Sequence, residues 1–166
     1  MSPASRRGRC GSNPELHPET NSAKCMAGTT LGFAIVTIVG FGVWPVGPIS
    51  ALAGILSTIG NSIICCCGPK TKSEGSGKMM AGMVINIIAC VFHFIAIILI
   101  IVLTLLVATS GGGGRAQQAT AGFIVIIASG TIVFSLIAGI LEAVAAAKMS
   151  AARAAILKDG PSTATV

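Results

Sequence analysis

The sequence predicts an all-α membrane protein, a four-transmembrane-helix bundle with cytosolic N- and C-termini, and three observations predict it. Hydrophobic residues make up 53% of the 166 positions and charged residues only 10%, against about 25% charged in an average soluble domain. So little polar surface cannot cover the chain in water, and a bilayer is its natural solvent. The charged residues sit at the ends of long uncharged runs. Of the 11 Lys and Arg residues, only Arg115 falls in a segment assigned to the far side of the membrane.

Taken in order, residues 1–24 hold Arg6, Arg7 and Arg9 among Pro, Ser and Glu without hydrophobic period, which predicts a disordered cytosolic tail. No charge occurs from Cys25 to Pro69, too long an interval for one span of about 20 residues. Trp44-Pro45-Val46-Gly47-Pro48 divides it, because two prolines within five residues break a helix. Helices are expected at about 26–44 and 47–67. Gly68-Pro69 ends the second, and a short basic loop with Lys70, Lys72 and Lys78 follows. A third helix is expected at about 79–107, ended by Gly111–Gly114, and a fourth at about 120–147. The four define a transmembrane domain over 25–148, followed by a cytosolic tail over 149–166. The positive-inside rule puts both tails and the lysine loop in the cytosol, and an even number of spans requires termini on one side.

Four groups of residues invite a chemical reading. Cys65, Cys66 and Cys67 end the second helix beside lysines, and Cys25 sits at a comparable depth in the first. Juxtamembrane thiols are candidates for S-acylation. Lys70, Lys72 and Lys78 are candidate contacts for anionic lipid as well as topological signals. Gly82, Asn86, Cys90 and His93 are spaced to share one face of the third helix. That intramembrane polar face reads either as a hydrogen-bonded packing stripe or as a proton or ion path, and the packing stripe is preferred. No second ionisable group is expected at the depth of His93, since Glu142 falls in the final turns of the predicted fourth helix. Small residues also recur at spacing four: Gly28 and Gly32; Ser50, Gly54 and Thr58; Ser135, Gly139, Ala143 and Ala147. Such stripes bring helix backbones close in lipid.

Enzymatic function is not expected. No Ser-His-Asp set, Walker loop, HExxH or acidic dyad occurs, and the chain has only 5 acidic residues. Three consecutive cysteines on a helix cannot converge on one ion, so no metal and no cofactor is called for. None of the 6 cysteines falls in an outer segment, so an extracellular disulfide framework is not expected. The partners implied are the lipid bilayer and other membrane proteins or a second copy of the chain. Nucleic acid is excluded because the net charge of +6 is dispersed along membrane edges. The chain is therefore expected to be a multi-pass protein of the plasma membrane or an endomembrane.

Three stretches carry a resemblance: Trp44 to Ser57, Gly77-Lys78-Met79-Met80-Ala81-Gly82-Met83, and Ala138-Gly139-Ile140-Leu141-Glu142. The arrangement resembles the membrane-spanning four-domain family, the group that contains the B-cell tetraspan antigen, although the second outer loop here lacks cysteines. Ile64-Cys65-Cys66-Cys67-Gly68 and the polar loop after it also look like the acylated inner loop of the tetraspanins, whose large outer domain this chain does not have. Either resemblance implies a membrane-organising or receptor-associated protein. The alternative is a small oligomeric channel or transporter that uses the polar face of the third helix.

Overall fold

A computed structural model describes residues 13–40, 47–70, 75–110 and 115–158; the Trp44–Val46 turn, the Gly111–Gly114 linker, Lys72 and the two terminal segments lie outside these residues. The described residues are helical almost throughout: α1 (Pro18–Gly40), α2 (Gly47–Cys67), α3 (Ser76–Ser110) and α4 (Arg115–Lys158). Each helix packs against its neighbours in sequence, and α1 closes the ring against α4. The result is an up-down-up-down bundle. Among the described residues three stretches are long and apolar enough to cross a membrane: Pro48–Cys67, Ser76–Val107 and Gly122–Lys158.

Two helix ends differ from the sequence expectation. α1 begins at Pro18, inside the stretch expected to be a tail. Proline suits the first helical position because its missing N–H has no partner there anyway. Glu19 adds a carboxylate to the first turn, where the helix dipole favours it. The Asn13 and Asn21 side chains brace the entry, with Asn21 Nδ2 donating to Asn13 O at 2.9 Å and Asn21 Oδ1 accepting from Asn13 N at 3.2 Å. α4 runs on to Lys158, past the end of its apolar run. Residues 143–156 are mostly alanine, the strongest helix former, so loss of hydrophobicity does not end the helix.

Each helix buries one stripe at spacings of three and four, strictly alternating in α1, α3 and α4. In α1 it is Thr20, Ala23, Ala27, Thr30, Ala34 and Thr37, and in α2 it is Ser50, Ala53, Ser57, Asn61 and Ile64. In α3 it is Met79, Gly82, Asn86, Ala89, His93, Ala96 and Ile100, and in α4 it is Ser135, Ala138, Glu142, Ala145, Met149, Ala152 and Ile156. A 3.5-residue period is the seam of a left-handed coiled-coil bundle. Most of the buried residues are small or polar, with Ile64, Met79, Ile100, Met149 and Ile156 as large exceptions, whereas Ile98, Leu105, Leu106, Phe123 and Ile126 are each at least 58% exposed. This inversion fits a lipid solvent, in which apolar side chains gain nothing by turning inward and small ones let backbones approach.

The spacing-four stripes expected from sequence are only partly internal. Ser50, Gly54, Ser135 and Gly139 are buried, but Gly28, Gly32, Ala143 and Ala147 are exposed. A Cβ built on Gly32 meets nothing within 4 Å, whereas one on Gly60 would come within 2.9 Å of Ile85 and 3.2 Å of the Asn86 amide. At the α2–α3 connection Gly75 has φ of 92°, a left-handed conformation that glycine adopts without steric cost. Lys24 Nζ donates to Pro69 O at 2.7 Å and ties α1 to this corner.

The core has three levels. One apolar cluster, toward the end of the bundle that carries Lys24, joins Ala23, Ala27, Ile64, Met79, Met149 and Ile156. A second, toward the α3–α4 connection, is Ala96 and Ile100 with Ile49, Ala128 and Ile132 against them. Between the two lies the polar section that holds the candidate site.

Candidate functional site

The polar section contains two pairs, each bridging two helices. The first is a pair of amides. Asn61 of α2 donates through Nδ2 to Asn86 Oδ1 at 3.0 Å, and Asn86 Nδ2 returns a longer contact to Asn61 Oδ1 at 3.5 Å. Asn61 Nδ2 also reaches Ser57 O at 2.7 Å, and Asn86 Nδ2 reaches Gly82 O at 2.8 Å and Met149 Sδ at 3.8 Å. Both side chains are fully buried, and every amide nitrogen and oxygen has a partner. Buried polar groups that are fully paired fix helix register.

The second pair lies two turns further along α3. His93 Nε2 is 3.4 Å from Glu142 Oε1 of α4, and the side chains are 1% and 2% exposed. This corrects the expectation that His93 has no ionisable group at its depth. Because α4 continues to Lys158, Glu142 is roughly 24 Å from that helix end at 1.5 Å per residue. His93 is about 22 Å from Lys78 on the same rise. Both residues thus fall near the middle of their helices, and the antiparallel register of α3 and α4 brings them together.

Unlike the amides, this pair is incompletely satisfied. His93 Nδ1 and Glu142 Oε2 are buried and have no hydrogen-bond partner among the described residues, and the same holds for Ser50 Oγ on the inner stripe of α2. Cys90, half-buried, directs its thiol to Gly139 O at 3.4 Å and so binds α3 to α4 beside the pair. Among the described residues no group of three or more His, Cys, Asp or Glu side chains could hold a metal ion. The arrangement can hold or exchange a proton, and it offers too few ligands for a multiply coordinated cation.

At the charged end the cysteines separate into three kinds. Cys25 is disulfide-bonded, so it carries no free thiol for an acyl chain and leaves the set of acylation candidates. Cys65 is half-buried, with its thiol directed to Lys24 O at 3.7 Å. Cys66 and Cys67 are free and exposed. Lys70 and Lys78 are exposed near them. The two residues that sequence reasoning missed are Glu142 and Asn61. The signal for Asn61 was its place in the inner stripe of α2, four residues from Ser57 and three from Ile64. No family model, curated protein or solved structure matches this chain.

Proposed function

We propose that the chain is a tetraspan integral membrane protein, without enzymatic activity, that organises membrane partners through lateral helix packing. α1 is the fourth span in this reading: it carries no charge from Cys25 to Gly40 and closes the ring against α2 and α4. The charge asymmetry of the loops supports cytosolic termini. The observation that carries the lateral role is the outward placement of Gly28 and Gly32. They form a small-xxx-small step on α1 that the bundle leaves largely open, since among the described residues a Cβ built on Gly32 meets nothing within 4 Å and one built on Gly28 meets Cys65 Sγ at 3.8 Å. Such a step lets the helix of another membrane protein, or of a second copy, approach closely. Cys66 and Cys67 supply acylation sites, and Lys70, Lys72 and Lys78 supply contacts to anionic headgroups at the cytosolic edge. This agrees with the implication of the membrane-spanning four-domain and tetraspanin resemblances.

The test uses a photoreactive residue in place of Val36, which is exposed one turn beyond Gly32. Cross-linking in native membranes should give protein adducts, and Gly32→Ile should abolish them while leaving the bundle folded. Adducts to lipid alone would sink the lateral role. A second reading, movement of a small solute along the polar face of α3, is favoured by one observation: the unpartnered atoms of the buried His93–Glu142 pair.

A further inference from the structure

We propose that His93 and Glu142 form an occluded proton-binding site through which this chain moves protons across the bilayer. The proposal rests on the transport reading and names its substrate. Four observations converge on it. The two side chains are within ion-pair distance and almost completely buried. Each keeps one polar atom unpartnered among the described residues, Nδ1 on one side and Oε2 on the other. Apolar residues close the section at both ends: Ile64, Met79 and Met149 on one side, Ala96 and Ile100 on the other. Among the described residues of this section no third charged group competes. α1 between Cys25 and Gly40 and α2 throughout contain no Asp, Glu, Lys, Arg or His, and the titratable neighbour on α3 is the Cys90 thiol, which is directed at Gly139 O.

A pair of this kind is suited to protons because a low-dielectric interior disfavours net charge, so the site with its carboxylate bare gains by taking up a proton that neutralises it. The starting state is neutral His93 with its proton on Nε2, facing the Glu142 carboxylate. A proton enters at Nδ1 and gives an imidazolium. The N–H bond at Nε2 breaks as an O–H bond forms at Oε1, which leaves neutral His93 protonated on Nδ1 beside a neutral carboxyl. Glu142 rotates and releases its proton from the side of Oε2, and when the caps part a water molecule takes the Nδ1 proton and gives one to Nε2, which restores the first tautomer. One proton has entered and one has left, with no redox step. The unpartnered Ser50 Oγ offers a relay position on α2 within the same interior. Because apolar residues cap both ends, transfer requires them to part. The closed bundle is then the occluded state of a carrier.

The experiment reconstitutes the full chain in liposomes that contain a pH-sensitive dye and applies an inside-negative potassium diffusion potential. Wild-type vesicles should acidify faster than protein-free ones. Glu142→Gln and His93→Gln should lower the protein-dependent rate by about 100-fold, the lower edge of what a positioned proton-transfer group contributes. Ile100→Ser, which opens one apolar cap, should raise it. Wild-type vesicles as proton-tight as empty ones overturn the proposal, as does a rate unchanged in both variants. The same vesicles are assayed for rubidium and glycerol flux. If either passes in a His93-dependent way while protons do not, the proton assignment falls and the transport reading stands. If nothing passes, both fall. Should a variant fail to fold, histidine-selective nitrogen NMR of the wild-type protein in lipid decides. The His93 ring should show its Nε2-protonated and Nδ1-protonated forms in exchange. A ring locked in one state overturns the proposal.

Discussion

The two polar pairs of the bundle core are built from similar material and reach opposite ends. Asn61 and Asn86 satisfy one another and the backbone around them. His93 and Glu142, seven residues further on by the stripe of α3, are just as buried and leave Nδ1 and Oε2 without partners. A closed network spends its hydrogen-bonding capacity on holding two helices in register. An open one holds them less well and keeps atoms in reserve for chemistry. Burial alone therefore does not identify a functional polar residue in a membrane bundle; unspent bonding capacity inside a buried pair does.

The amide pair gives the largest expected loss of stability. Asn86→Leu removes a donor and an acceptor, leaves Asn61 with an unpaired carbonyl, and forces a branched side chain toward Gly60, where the amide already lies 3.2 Å from a built Cβ. An orphaned buried polar group costs about 1–3 kcal/mol, and overpacking adds about 1–3 kcal/mol. A loss of about 2–4 kcal/mol is expected in equilibrium unfolding by SDS in mixed micelles, followed by circular dichroism. Proton flux through bundles that remain folded should not change. A loss below about 0.5 kcal/mol would mean that the amide contact contributes no more than an ordinary intramembrane hydrogen bond.

How much of this was legible in the sequence depends on which physical quantity carried the information. The uncharged runs and the lopsided distribution of lysines and arginines mark the apolar helices, because charge is what a bilayer excludes most strongly. The inner surface is another matter. Stripes sought at spacing four follow α1 through Gly28 and Gly32, which face outward, whereas the 3.5 period passes through Ala27, Thr30, Ala34 and Thr37. The two periods coincide for only a turn or so, and only helix–helix contact selects between them. Asn86 and His93 were accessible because residues seven apart are two turns apart and stay on one helix face. Glu142 was not. Its partner follows from the length of α4, and an alanine-rich continuation ends the hydropathy signal well before it ends the helix. A disulfide at Cys25 could not be read at all, because the pairing of cysteines does not follow from their number and spacing.

The open pair should behave in the opposite sense from the amides. Replacing both members together, His93→Leu with Glu142→Met, removes two ionisable groups from a dry site and substitutes apolar side chains. Exchange of a buried ion pair for packed hydrophobic residues is often neutral or stabilising by about 1–4 kcal/mol. The same unfolding titration should show a gain of about 1–2 kcal/mol, together with complete loss of protein-dependent proton flux. A double variant that is less stable than wild type would place His93 and Glu142 with the amides, as a structural clasp, and would erase the distinction between the pairs.

The smallest effect expected is also the finest test of whether unpartnered atoms are held in reserve. Ser50 Oγ is buried on the inner stripe of α2 without a partner among the described residues. Removing an unsatisfied hydroxyl should relieve a desolvation penalty, so Ser50→Ala should raise stability by about 0.5–1 kcal/mol, the low end of the cost of burying such a group. If the hydroxyl belongs to the proton route, the same substitution should slow proton flux without abolishing it, because His93 and Glu142 remain. The two readouts then move in opposite directions, which a packing residue cannot produce. Loss of both stability and flux would instead show that the hydroxyl is bonded in the membrane, and that α2 belongs with the closed network of Asn61 and not with the open pair.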